Sequence, residues 1–349
     1  MAGIFFMINS IGTSPLVSVC IANYNGENII SDCVGSVLAQ DCDFPFEIIV
    51  HDDASTDSSV EIIRRDFPHV LLLEAKENVG FCISNNKMVD VSRGEFILLL
   101  NNDAALAPDA LSTLYAHAQR QQCQGIIGLP QYDWQTWAVV DRGCLLDPFY
   151  NPVPNLDANQ TDVAMVIGAC LWIPHSLWDE LGGFPAWFES VAEDLYLCCR
   201  AKLAGYPVQV TSGSNYRHWQ GKSFGGNRVD GNKLVTTYHR RRLSERNKTF
   251  VMALCSSRLR LFLTLPLHLL LLALEGLVLS IAKRDPLIWR EVYAGVFVSL
   301  FKYGPKLIWL RKRIISTSTH SCASNLGGTF TYFPRKLQML LMHGLPNIQ

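Results

Sequence analysis

An α/β fold built on a mostly parallel central sheet is predicted by three features of this chain. Short apolar runs alternate with amphipathic segments from residue 16 to residue 130, the rhythm of strand and helix units whose strands lie side by side. Two of those runs end in acids. Phe46-Glu47-Ile48-Ile49-Val50 leads into His51-Asp52-Asp53, and Phe96-Ile97-Leu98-Leu99-Leu100 leads into Asn101-Asn102-Asp103. After residue 260 the alternation gives way to long apolar stretches, which predict C-terminal helices outside that sheet.

Leu16 to Ala22 is expected to form the first strand, and Ile29, Ile30, Cys33, Val34, Val37 and Leu38 then recur at helical spacing. Asp57 is placed to cap the helix through Ile62 and Ile63, and Phe81 to Val91 reads as the next helix. Pro108 suits the first turn of a helix carrying Leu111, Leu114 and Tyr115, where its missing N–H costs nothing. From Gln131 to Thr161 prolines, aspartates and aromatics break every period, which predicts a loop-rich excursion with room for a β-ribbon. Met165 to Ile173 resumes as a strand, and Pro174 opens a short helix ending near Gly182-Gly183. Glu193-Asp194 then begins a helix through Leu195, Cys198, Cys199, Ala201 and Leu203 that Gly205 stops.

A net charge of -1 over 349 residues gives no global electrostatic case for nucleic acid as a partner. The eleven cysteines are scattered and none forms a pair with the two-residue gap of a zinc knuckle, so reduced, buried thiols of a cytosolic protein are expected. Met1 to Ser14 has neither the basic start nor the long apolar core of a signal peptide. Charge is unevenly placed toward the C-terminus. Seven Lys or Arg residues stand against Glu245 between Arg240 and Arg260, and Leu261 to Ala282 carries only Glu275. These shifts, with the change of rhythm after residue 130, divide the chain into an extension (1–15), an α/β domain (16–238, whose half at 16–130 reads as nucleotide-binding and is followed by a second half at 131–238), a basic and apolar helical segment (239–315) and a tail (316–349).

Two buried strands that each deliver carboxylates to one sheet edge favour a nucleotide site. Ligands of open α/β sheets bind beyond the carboxyl ends of the strands, and an oxygen-rich tip is what a divalent cation bridging phosphates requires. Helix capping by either acid alone would be the blander reading.

An ordered set of short motifs resembles the family 2 glycosyltransferases, which have the GT-A fold, a Rossmann-like nucleotide-binding domain. The likeness is greatest to the rhamnosyltransferase-like branch that builds bacterial surface polysaccharides. It rests on Val17-Ser18-Val19-Cys20-Ile21-Ala22-Asn23-Tyr24-Asn25, on Asp52-Asp53-Ala54-Ser55-Thr56-Asp57, and on Asn78-Val79-Gly80-Phe81 with Asn86. It continues through Leu100-Asn101-Asn102-Asp103, Gly168-Ala169-Cys170, Gly182-Gly183-Phe184, Glu193-Asp194 and His218-Trp219-Gln220-Gly221-Lys222-Ser223.

What the resemblance implies is specific. Ala22, Asn23, Asp52, Asp53, Gly80, Asn86 and Asn102 would form the nucleotide site, with Asp52 accepting the imide N–H of uracil or thymine and Asp53 as its neighbour. Asp103 would hold Mn²⁺ or Mg²⁺ on the diphosphate of a UDP- or dTDP-sugar, with His218 close by. Where many relatives have an acid or proline, this chain has Asn102, an uncharged ligand at most. Asp194 would be the catalytic base and Glu193 would orient the loop or hold the acceptor; an acidic helix start is the competing explanation. Gly168 and Ala169 are small enough to leave room for sugar, and Trp172, Trp187 and Trp219 could stack on sugar faces or pack in the core.

The apolar segment Leu261 to Ala282 is long enough to cross a hydrocarbon core ~30 Å thick at 1.5 Å per residue, although Pro266, His268 and Glu275 oppose an easy crossing. Val292 to Phe301 is too short to span alone, and the basic residues around it suit a peripheral or re-entrant anchor on an anionic inner leaflet. The expected function is therefore inverting, metal-dependent sugar transfer to a glycan or lipid-linked acceptor at the cytoplasmic face of an inner membrane. A catalytically weak nucleotide-sugar-binding scaffold is the alternative.

Overall fold

The computed structural model describes residues 14–219, 226–230, 233–317 and 329–348. Four strand and helix units open the chain: β1 (Val17–Asn23) with α1 (Ile30–Leu38), β2 (Phe46–Asp52) with α2 (Ser59–Asp66), β3 (Leu71–Glu74) with α3 (Phe81–Val91), and β4 (Phe96–Asn101), which reaches α4 (Ala110–Arg120) through the short β5 (Ala104–Leu106). β6 (Ile126–Gly128) is followed by an excursion of β7 (Gln131–Asp133), β8 (Val139–Asp141), β9 (Cys144–Leu146) and β10 (Pro152–Pro154). The chain returns with β11 (Cys170–Pro174), α5 (His175–Leu181), α6 (Glu193–Ala204), β12 (Val208–Val210) and β13 (Tyr216–His218). A hairpin of β14 (Gly226–Asp230) and β15 (Lys233–Thr236) precedes the helices α7 (Tyr238–Cys255), α8 (Arg258–Lys283), α9 (Ala294–Thr317) and α10 (Arg335–His343), and β16 (Asn347–Ile348) pairs with β15.

The main sheet runs β12-β6-β11-β4-β1-β2-β3 and is parallel except for β11, which is antiparallel to both neighbours. Its register sets Asn23 opposite Asp52 and Ala22 opposite Asn101, so the polar strand tips gather at one edge. Alternate residues feed two cores. Val19 and Ile21 of β1 and Leu98 and Leu100 of β4 meet α1 and α4 on one face. Cys20, Ile97 and Leu99 meet α3, α6 and α7 on the other. Burial on both faces, worth ~1.5–3 kcal/mol for each fully enclosed large apolar side chain, accounts for the unbroken apolar run of β4.

Several expectations need correction. The first strand is one residue further on than predicted, because Asn23 still pairs with Asp52. The strand expected from Met165 becomes regular only at Cys170; before it, Met165 bridges to Cys144 and the Gly168 N–H turns to Asp194 instead of a ladder partner. The excursion holds more order than expected, since β7 and β8 join β13 and β5 in a second sheet. The proposed boundary at residue 239 cuts through a shared core, because Phe250, Val251, Met252 and Leu254 of α7 belong to the cluster that contains Ile49 and Leu99. The apolar stretch beginning at Val292 is not isolated: a π-helical turn, Ile288–Tyr293, runs straight into α9. Within the presumed tail, α10 is a regular helix with no buried residue. No disulfide joins any of the ten described cysteines. The N-terminal segment before residue 14 and the motif residues Gln220, Gly221, Lys222 and Ser223 lie outside the described residues.

Candidate active site

A cleft of about 690 Å³ lies beyond the carboxyl ends of β1 and β4, where Ala22, Asn23, Asn102 and Asp103 line it. Asn23 is the hub of this edge. Its Nδ2 donates to Asp52 Oδ1 at 2.8 Å and to Ser59 Oγ at 3.1 Å, while its Oδ1 accepts from Asn102 Nδ2 at 2.9 Å. The turn that follows needs Gly26, because a Cβ there would sit 2.2 Å from Asn23 Oδ1. Behind Asn23, Asp52 accepts from the Ser55 N–H at 2.9 Å and the Ser55 hydroxyl at 2.6 Å. Asp53 and Gly80 line the cleft itself. The Asp53 carboxylate accepts from the N–H groups of Val79 at 2.7 Å and Gly80 at 2.9 Å, which ties the tip of β2 to the start of α3.

A second corner is built by strand pairing. β13 runs antiparallel to β5 with His218 opposite Ala104, and this register lays the imidazole against the neighbouring Asp103. His218 Nε2 lies 3.0 Å from Asp103 Oδ1, and the Asp103 side chain is wholly enclosed. On its other side His218 Nδ1 lies 3.4 Å from Gln131 Oε1, which also accepts from the Tyr216 hydroxyl at 2.8 Å. Among the described residues no three His, Cys, Asp or Glu side chains gather as a closed metal cage. One carboxylate and one imidazole are instead a partial, open donor set that a divalent ion such as Mn²⁺ could use.

Across the cleft stand Glu193 and Asp194 at the N-terminus of α6. Asp194 Oδ2 accepts from the Gly168 N–H at 2.9 Å and Oδ1 from the Leu195 N–H at 2.7 Å, so the Gly168 backbone steers the carboxylate. Burial pushes both carboxyls above their ordinary range, and the adjacent charge of Asp194 helps to lift Glu193 to about 8. Glu193 Oε2 is enclosed without a hydrogen-bond partner, in keeping with a protonated acid. The chain reaches this pair through a backbone that ordinary residues resist. Glu189, Val191 and Ala192 have φ values of 67°, 70° and 67°, and strain at such non-glycine positions costs on the order of 1–3 kcal/mol each.

Not every residue expected in the site lines it. Asn86 serves the fold: its Nδ2 donates to the Phe184 carbonyl at 2.8 Å and its Oδ1 accepts the Phe184 N–H at 3.0 Å. Trp219 stacks flat on Trp134, with centroids 5.9 Å apart, and its backbone N–H donates to the Asp103 carbonyl. Trp172 stacks on Phe96 in the core, and Trp187 packs on Phe250 and Tyr303. Ala169 does line the cleft.

Arg240 and Lys248 of α7 also line the cleft, and the sequence reading missed them as site residues. Arg240 is coupled electrostatically to Glu193, Asp194 and Asp103, and burial lowers its pKa against their pull. One signal was present. Three arginines within the first five residues of a helix oppose the macrodipole, so their charge calls for carboxylates elsewhere.

The α/β domain with an acid-tipped sheet edge, and a buried carboxylate pair facing it, has a GT-A-like fold. Residues 18–178 match the glycosyl transferase family 2 model. Over 206 residues it is 26% identical to the poly(ribitol-phosphate) beta-glucosyltransferase of Bacillus spizizenii, a match covering 57% of this chain and 31% of that protein. The chain thus spans about a third of the length of that curated relative. Among solved structures, the mannosyltransferase PcManGT of Pyrobaculum calidifontis, in complex with GDP-Man and Mn²⁺, is similar at a TM-score of 0.50 and 18% identity over 88% of this chain and 86% of that one. GalNAc-T7 with UDP, GalNAc and Mn²⁺ gives 0.54 and 16% over 70% and 48%. At these identities both likenesses speak to the fold.

Proposed function

We propose that this protein is an inverting glycosyltransferase of bacterial surface polysaccharide synthesis, which moves a sugar from a nucleotide-sugar donor to a glycan acceptor carried on a lipid. The observation that carries the reading is the single cleft that Asp103 with His218 and Asp194 with Glu193 enter from different elements. The nucleoside would lie along Ala22, Asn23 and Asp53, with Asp52 behind them. A divalent ion held by Asp103 and His218 would neutralise charge developing on the departing diphosphate. Asp194 would take the proton of an acceptor hydroxyl as that oxygen bonds to the anomeric carbon. The carbon–oxygen bond to the diphosphate breaks on the opposite face, and its electron pair leaves with the nucleotide. One displacement of this kind inverts the anomeric centre. Arg240 adds positive charge between the two carboxylate corners, and Glu193, held neutral, avoids a second negative charge beside the base.

The named structures and the curated relative support this reading through what their names print: a UDP or GDP-sugar with Mn²⁺, and glucosyl transfer to a poly(ribitol phosphate). Its test is nucleoside-diphosphate release from a panel of UDP-, dTDP- and GDP-sugars with Mn²⁺ or Mg²⁺, with and without a lipid extract. Release that needs both the ion and the extract is the expected result. Tight binding without release under any condition would turn the reading toward a scaffold.

The same reading includes peripheral attachment to a membrane surface. α8 is 26 residues long, with a window of mean hydropathy 2.1 of which 17% is buried. Its inner face, Leu272 and Leu279, packs on Val292, Tyr293 and Val296, while Phe262, Leu263, Leu270 and Ile281 face outward. Phe301 of α9 and Leu341 of α10 are also exposed, at 90% and 74%. Glu275 argues for lying on the bilayer over crossing it. It is paired with Arg241 at 2.6 Å and with Lys336 at 2.5 Å, and a transmembrane path for α8 would break both bonds. The whole protein should sediment with anionic vesicles in a partly salt-sensitive way, and F262D with I281D should abolish sedimentation while nucleotide binding persists. Sedimentation unchanged by the double substitution would remove α8 as the anchor. Cutting the chain after Arg260 is a poor test, because Arg311 of α9 donates to the carbonyls of Ala253, Leu254 and Ser256 at the end of α7.

A further inference from the structure

The strained path from Trp187 to Ala192 is held from outside by one dipeptide of α7. Asn247 is completely buried. The two N–H bonds of its Nδ2 are shared among three carbonyls, those of Phe188 at 2.9 Å, Ser190 at 2.9 Å and Val191 at 2.8 Å. Its Oδ1 accepts from Arg246 Nε at 2.9 Å. Since carbonyls only accept, these partners fix which end of the amide points at the loop. The Arg246 guanidinium completes the clamp through the Phe188 carbonyl at 2.9 Å and the Glu189 carboxylate at 2.8 Å.

The loop so held has no conformational reason of its own to follow this course. Three of its four residues from Glu189 to Ala192 are left-handed without being glycine or asparagine. Val191, β-branched, is the least suited of all to that region. The course nonetheless matters at both ends. The Glu189 carbonyl accepts the Cys82 N–H at 3.1 Å in the first turn of α3, on the donor side, and Ala192 leads directly into Glu193 and Asp194. Loop residues from Glu189 to Ala192 themselves line the cleft.

We propose that Asn247, braced by Arg246, is a positioning residue for Asp194: it holds segment 188–192 in the one backbone path that presents that carboxylate to the cleft. The inference rests on the reading of Asp194 as the base. Asn247 touches neither reacting atom, so its effect must pass through the geometry of α6's first turn.

N247D keeps the shape and the contact with Arg246 but removes the donors to the loop. Turnover should fall ~10²-fold with donor KM changed less than about threefold, the pattern of a misplaced catalytic group. Added to D194N, the same substitution should lower turnover less than about threefold further, because the group it positions is already disabled. Amide exchange at 190–194 should accelerate while the amides of β1 and β4 stay protected. If N247D does not fold, R246K carries the test by the same three readouts, with a smaller loss. Equal losses in the presence and absence of Asp194, or a loss expressed in donor KM, would overturn the proposal and leave Asn247 a structural residue. Full turnover by D194N alone would overturn the base assignment beneath it, a result readable without any change at Asn247.

Discussion

Asp194→Asn is expected to lower turnover by ~10² or more while donor affinity stays within about threefold, since it removes a general base and no donor contact. Asparagine keeps one of the two oxygens that accept from the Gly168 and Leu195 N–H groups, and with the Asn247 contacts to the preceding carbonyls retained the melt should stay cooperative. The pH profile gives a second readout. The base works ionised, and burial raises its pKa, so kcat/KM should climb with pH along a limb lying above the ordinary carboxylate range. Glu193 predicts a stability effect of definite sign. A carboxyl whose folded pKa is raised to about 8 favours the native state at low pH, and that contribution is lost as pH rises from 4.5 through about 8. Glu193→Gln should therefore stabilise the fold most above that window. A large loss of donor binding with normal turnover in Asp194→Asn would make Asp194 a binding residue.

Asp103→Ala should abolish metal-dependent donor binding. The carboxylate is the only charged oxygen at the tip of β4, and Asn102 beside it directs its amide nitrogen to Asn23. Nucleotide titration with and without Mn²⁺ measures the effect directly, without needing the acceptor. The fold should survive, because the residue follows the strand and its loss leaves one imidazole short of a partner, a cost of roughly 1–3 kcal/mol. Normal turnover by the variant at low Mn²⁺ would remove Asp103 as the metal ligand.

Much of the site was legible in the chain because its signals are local. The apolar run of β4 had to be buried on both faces, and the first acid after it had to emerge at the sheet edge. The same logic applies to Asp52 and Asp53 after β2, and the period of Leu195 to Leu203 set Glu193 and Asp194 at a helix start. Strand ends and helix starts follow from periodicity within about ten residues, so a single sequence carries them.

The rest depended on which distant segments pack together. Asn86 and Trp219 sit in motifs that read as functional, yet one clamps Phe184 and the other stacks on Trp134, because side-chain direction is decided by neighbours far along the chain. The basic run at Arg240 to Arg242 reads in the sequence only as part of a shift in charge, and only the packing of α7 under the main sheet brings Arg240 to the carboxylates. Glu275, an isolated acid in an apolar helix by sequence, is matched by Arg241 and Lys336 from two other helices. Asn247 illustrates the limit most sharply. The acceptors of its amide nitrogen are backbone carbonyls, which every residue possesses, and no pattern of side chains announces such a contact before the chain has folded. Local period therefore determined the elements and the acids at their ends, whereas the long-range burial of α7 decided which charges face the cleft and what holds the loop before Asp194 in place.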